Sequence, residues 1–127
     1  AESVHGKGKF LLTHTDGENR NLMDLYDRCS FDIADSVCPA PMTKLTAGEY
    51  RRRFRERTIW GLVPSVIMLA EAYSWADFTG FINYLLHICR PYNRLILSIA
   101  DTLPPPADFK RLLYIRDLVE KVNKRSG

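Results

Sequence analysis

The chain has 127 residues, of which 46% are hydrophobic and 26% charged, with a formal net charge of +3 and a pI near 8.9. That length is one domain's worth, able to bury roughly two thirds of its unfolded surface, and the composition excludes a globally disordered chain. No stretch reaches the ~18 continuous apolar residues that a membrane-spanning helix requires, since Pro64 interrupts the 59–70 run, so no membrane partner is expected.

The charge is unevenly divided. Residues 1–43 hold four basic side chains, Lys7, Lys9, Arg20 and Arg28, against seven acidic ones, a net of −3. Residues 44–127 hold fourteen against eight, a net of +6. Such a split points to an anionic partner for the C-terminal part, or to an acidic arm lying across a basic body. The odd number of cysteines, Cys29, Cys38 and Cys89, without regular spacing, argues against a secreted disulfide framework and for a reducing, intracellular compartment. No signal peptide is visible, and the absence of an initiator Met suggests an excised fragment or a processed start.

In chain order, residues 1–21 are polar and glycine-containing, with one short apolar run at Phe10-Leu11-Leu12, and read as an extended arm. The next stretch, LMDLYDRCSFDIADSV, mixes apolar residues with four aspartates and ends at two prolines, which forbid regular structure. Leu22, Leu25, Tyr26, Phe31 and Ile33 make it a candidate protein-interaction segment, folding over the same body, over a second copy, or onto a separate protein. A boundary therefore falls near residue 43, dividing an N-terminal arm, 1–43, from a helical bundle, 44–127.

Within the body, Thr46 and Glu49 have capping-box spacing and predict a helix from Ala47 that carries the arginines. Gly61 and Pro64 break it. A second helix is expected over 64–73, buried on every side except at Glu71. Ser74 and Asp77 repeat the capping signal for a third over 75–89. Pro91 opens a fourth, with Leu95, Ile96, Ile99, Ala100 and Leu103 inward, and Pro104-Pro105-Pro106 stops it. A fifth, over 107–122, sets Leu112, Ile115, Val119 and Val122 at bundle-seam spacing. The predicted fold is thus all-α: a compact bundle of about five helices with an extended, mostly irregular N-terminal arm.

The densest chemical signal is YRRRFRER, five arginines in the seven positions 51–57. Tyr50 and Phe54 mark its inward side. Glu49 and Glu56 can pair with only two of the five, each exposed pair contributing ~0.3–0.5 kcal/mol. Arginine's planar fork matches phosphate and carboxylate in a bidentate way, and no lysine dilutes this cluster. Arg51, Arg52, Arg53, Arg55 and Arg57, extended by Arg90 and Arg94, are therefore the expected binding surface for an anionic partner, nucleic acid foremost. Lys110, Arg111 and Arg116 extend it further if packing brings them to the same face. Trp60, beside the arginines, is a candidate hot spot for association.

Metal and catalytic readings find less support. Cys29 and Cys38 are too far apart for a paired zinc motif, and His87 and Cys89 point in opposed directions on a helix. Glu71 and His87 are the residues an enzyme reading rests on, but no nucleophile, Walker, zincin or dinucleotide motif occurs. The sequence thus predicts a non-catalytic interaction domain of an intracellular regulatory or viral protein, without metal or cofactor. The alternative is a protein–protein adaptor or homodimerisation domain whose arginines meet acidic side chains.

Overall fold

The computed structural model describes residues 1–126, with side chains through Lys124. It overturns the all-α expectation: the chain is an α/β protein built on a four-stranded, wholly parallel sheet. The elements run α1 (Glu2–His5), β1 (Leu12–His14), α2 (Met23–Asp27), β2 (Ile33–Val37), α3 (Ala47–Arg53), β3 (Thr58–Val63), α4 (Trp75–Ile88), β4 (Leu95–Ile99) and α5 (Phe109–Ser126). Each strand is thus followed by a helix, four times over. The strands lie side by side in chain order, β1-β2-β3-β4, every pair parallel.

The expected arm contributes β1 and β2, and the far end of the expected first helix is β3. The expected second helix is only a short 3-10 turn at Ser65–Met68 followed by turns, and the expected fourth helix is β4. TIWGLV and LILSI are short continuous apolar runs, and such runs fit a buried strand as well as a buried helix. Strands of a parallel sheet lack clean alternation, so the period-two test misses them. Helices with capping signals are found where the signals place them. Thr46 accepts from the Glu49 amide while Glu49 reaches back to Thr46, and Ser74 and Asp77 do the same at α4.

The core lies between the helices and one face of the sheet. Ala34, Ile59 and Val63 meet Tyr50 and Phe54 from α3, Phe78, Ile82 and Leu85 from α4, and Ile115 from α5. Full burial of one such large apolar side chain stabilises by about 1.5–3 kcal/mol. Strands added in one direction through right-handed crossovers place every connecting helix on the same side. The register agrees. Leu12, Ile33 and Thr58 are in line, as are Trp60 and Ile96, and side chains two apart on a strand share a face. On this second face Leu12, Trp60 and Ile96 are 41%, 38% and 42% exposed.

The strand pairing contains one irregularity. Between Ala34 and Val37 the β2–β3 register shifts, with Ser36 at φ 59° and Val37 opposite Gly61. Gly61 has φ 136°, and a Cβ there would stand 2.7 Å from the Val37 carbonyl oxygen. Glycine is required at this point of close approach.

Candidate functional site at the C-terminal ends of the strands

In parallel α/β sheets the carboxyl ends of the strands are where ligands bind, because loops of different length meet there on a rigid base. At that end of this sheet stand four side chains from three strands. His14 is the last residue of β1, Asp16 follows it by two, Asp35 lies in β2 level with His14, and Asp101 follows β4. His14 and Asp35 share the uncovered face of the sheet.

The imidazole of His14 is held between two carboxylates. Its Nδ1 lies 2.7 Å from Asp35 Oδ2 and its Nε2 3.2 Å from Asp16 Oδ1. The His14 pKa is raised above 6.5, chiefly by the hydrogen bond to Asp35, with the charges of Asp16 and Asp35 adding to it. Ligand atoms of His14, Asp16 and Asp101 all lie within 4.8 Å of one another, and all three residues are exposed. Among the described residues no other group of three metal-ligating side chains gathers in this way. Asp101 is held at φ 61°, an unfavourable region for a non-glycine residue, directly after β4. Cys38, just past β2, is close enough to feel this cluster. Burial, helped by the negative charge of Asp101, pushes its thiol up to about 11.

Chemically this is a nitrogen–oxygen donor set with excess negative charge. With His14 neutral, the carboxylates of Asp16, Asp35 and Asp101 gather around one imidazole with no lysine or arginine bonded to them among the described residues. With the proton on Nδ1, His14 donates to Asp35 and turns Nε2 toward the Asp16 carboxylate, the arrangement that orients an imidazole for a metal ion. Imidazole plus carboxylates suits a divalent ion such as zinc or manganese. Three protein ligands leave positions open for water or substrate.

The sequence-predicted residues are distributed differently. The arginine helix α3 ends at Arg53, so Arg55 and Arg57 lie in the turn before β3. Arg53 pairs with Asp24 and Asp27 of α2, rather than with Glu49. Arg57 lies 4.1 Å over the Phe31 ring and donates to the Cys29 carbonyl at 2.8 Å. Arg94 donates to the Glu56 carbonyl, and Arg90 to the Tyr92 hydroxyl at 3.2 Å. Arg51 donates to the Asn93 and Cys89 carbonyls. Arg52 and Arg55 form no hydrogen bond or ion pair among the described residues. A groove between α3 and α4 nonetheless gathers Arg51, Arg52, Arg55 and Arg90 with Tyr84 and His87. Arg111 is not part of it. It is buried, donating to the carbonyls of Ile67 and Tyr73 with its guanidinium 5.1 Å over the Phe78 ring. Arg116 is engaged by Asp117 and Glu120 on its own helix.

Of the predicted interaction segment, Leu22 and Leu25 are exposed. Tyr26 and Phe31 join Phe54 in a cluster of edge-on rings about 6 Å apart, and Ile33 and Trp60 lie on the uncovered sheet face. Glu71 and His87 are exposed and distant from the strand-end cluster in sequence, one in the turn before α4 and one within it. Cys29 is exposed and Cys89 buried at the end of α4. His14, Asp16, Asp35 and Asp101 were missed by sequence reasoning. H-T-D was the available local signal, but Asp35 and Asp101 join it only through strand pairing.

No helix among the described residues is long and apolar enough to cross a membrane. No family model, curated protein or solved structure matches the chain.

Proposed function

We propose that the chain is a metal-dependent α/β unit, binding a divalent ion through His14 Nε2 and carboxylate oxygens of Asp16 and Asp101. Asp35 holds His14 in the tautomer that leaves Nε2 free for the ion. The observation that carries this reading is the convergence of the three ligands within 4.8 Å at the carboxyl end of a parallel sheet. An ion held by His14, Asp16 and Asp101 would supply Lewis-acid chemistry there, polarising a carbonyl or phosphoryl oxygen or activating a water. This departs from the non-catalytic expectation because its ligands come from separate strands. Cobalt substitution tests it: added Co2+ gives visible absorption bands of low-symmetry coordination, and His14→Ala removes them. A spectrum identical to that of free Co2+ refutes the reading.

A second reading keeps the arginines. The groove of Arg51, Arg52, Arg55 and Arg90 beside Tyr84 favours a phosphate-bearing partner, nucleic acid foremost, with acidic protein as the alternative. Arg52 and Arg55 are the residues to change, since they hold no backbone carbonyl. Binding to RNA loses about 0.7–0.9 in the salt slope of log affinity for each phosphate contact removed. An unchanged slope in Arg52→Ala/Arg55→Ala refutes it.

A further inference from the structure

A wholly parallel sheet is ordinarily covered on both faces, whereas the second face of this one buries Leu62 near its C-terminal end but leaves Leu12, Trp60 and Ile96 about two-fifths exposed. Its open face carries Leu12, Ile33, Trp60 and Ile96, too apolar a surface to leave in water across the width of a sheet. Both edges are open as well, since β1 and β4 end the strand order. Unpaired strand edges beside an apolar face invite pairing with another chain.

We propose that the missing cover is a second copy of this chain, and that the two sheets close into one eight-stranded parallel barrel. A two-fold axis running along the strands preserves strand direction. It therefore sets β4 of each copy beside β1 of the other, parallel like every pairing already present. Four strands, each followed by a helix, are half of the eight at which a parallel barrel closes with its interior filled by side chains. Closure at two copies follows from that count.

The two edges are complementary in shape and charge. The β1 edge offers Phe10, 77% exposed, and Leu12. Along the β4 edge runs an apolar groove lined by Leu86, Tyr92, Leu95, Ile96 and Val119. The charge division also acquires a structural meaning. Residues 1–43, net −3, form the β1 edge, and the strand and helix at the other edge belong to the half with net +6. In the ring, α5 with Lys110, Lys121 and Lys124 covers the junction to the neighbour's acidic α2 region. Opposite charges meet at both junctions, which also steers the encounter. The pairing stands on the sheet and not on the metal reading, so loss of the dimer and loss of metal binding are separate results.

Light scattering on the wild-type chain, combined with hydrogen exchange, tests this. The expected mass is twice the 14.6 kDa of one chain, with amide protection in both β1 and β4 that falls together on dilution. Ile96→Asp changes a side chain already 42% exposed, so the monomer keeps its far-ultraviolet circular dichroism while the dimer dissociation constant rises by at least tenfold. A monomer at all concentrations overturns the proposal and leaves the face to a partner on a different polypeptide. So does a dimer whose β1 and β4 amides exchange freely, or a ladder of larger species, which means the edges pair without closing.

Discussion

Replacing Gly61 by alanine perturbs the place where β2 and β3 come closest. The residue sits at φ 136°, where a Cβ is strained regardless of space, at a cost of about 1–3 kcal/mol. The added carbon also meets the backbone of β2, 2.7 Å from the Val37 oxygen and 2.9 Å from the Val37 nitrogen. Neither atom belongs to a side chain that can swing away, so β2 must move, adding about another 1–3 kcal/mol. A loss of about 2–6 kcal/mol compares with total stabilities of about 5–15 kcal/mol. At about 4 °C per kcal/mol for a chain of this size, the Tm falls by about 8 °C or more. Gly80→Ala is the internal control. That glycine is exposed within α4, its Cβ meets nothing within 4 Å, and alanine there stabilises by about 0.5–1 kcal/mol. Thermal melts followed by circular dichroism read both. A Gly61→Ala Tm within about 2 °C of wild type would mean that β2 and β3 are not packed as described, and with them the placement of Asp35 beside His14.

Arg111→Met should cost about 2–5 kcal/mol, because it leaves the Ile67 and Tyr73 carbonyls without their donor in the interior; urea denaturation measures it, and a loss below about 1 kcal/mol contradicts that role. The His14 imidazole of the metal-free chain should titrate above 6.5, and Asp35→Asn should bring it down, as followed by proton NMR of the ring. Because the folded-state pKa is raised, the contribution of protonated His14 to stability is fully present below the unfolded-state pKa and lost as pH rises through the folded one. Metal binding takes the opposite course, strengthening as that proton leaves. Among the thiols, exposed Cys29 should alkylate first, while Cys38, with its pKa pushed up to about 11, should react more slowly at neutral pH; equal rates refute the burial assigned to it.

What the sequence discloses is its local chemistry. The capping boxes at Thr46 and Ser74 act within one turn of backbone and are legible as written. So is the inward pairing of Tyr50 and Phe54, which are 1% and 3% exposed. The sheet is not legible in this way. TIWGLV lies wholly between its neighbours, so no polar alternation marks it, and LILSI has the same composition as a buried helix segment. Residues 10–14 read as an arm because β1 is only three residues long and lies at an edge. The arginine cluster is a real concentration of charge, but several of its members cap backbone carbonyls in the turns that join helix to strand. Composition cannot distinguish that use from ligand binding. The strand-end cluster is the opposite case: four unremarkable residues become a site only when strand pairing sets Asp35 beside His14 and the chain after β4 carries Asp101 to them.

Equilibrium dialysis against Zn2+, with bound metal measured per chain, tests the central claim most directly. One ion per wild-type chain is expected, lost in His14→Ala and in Asp101→Asn, and weakened by about 10–100-fold in Asp35→Asn, whose side chain orients the imidazole without ligating the ion. Substoichiometric zinc in the wild type, or zinc retained unchanged when His14 and Asp101 are replaced, contradicts the assignment.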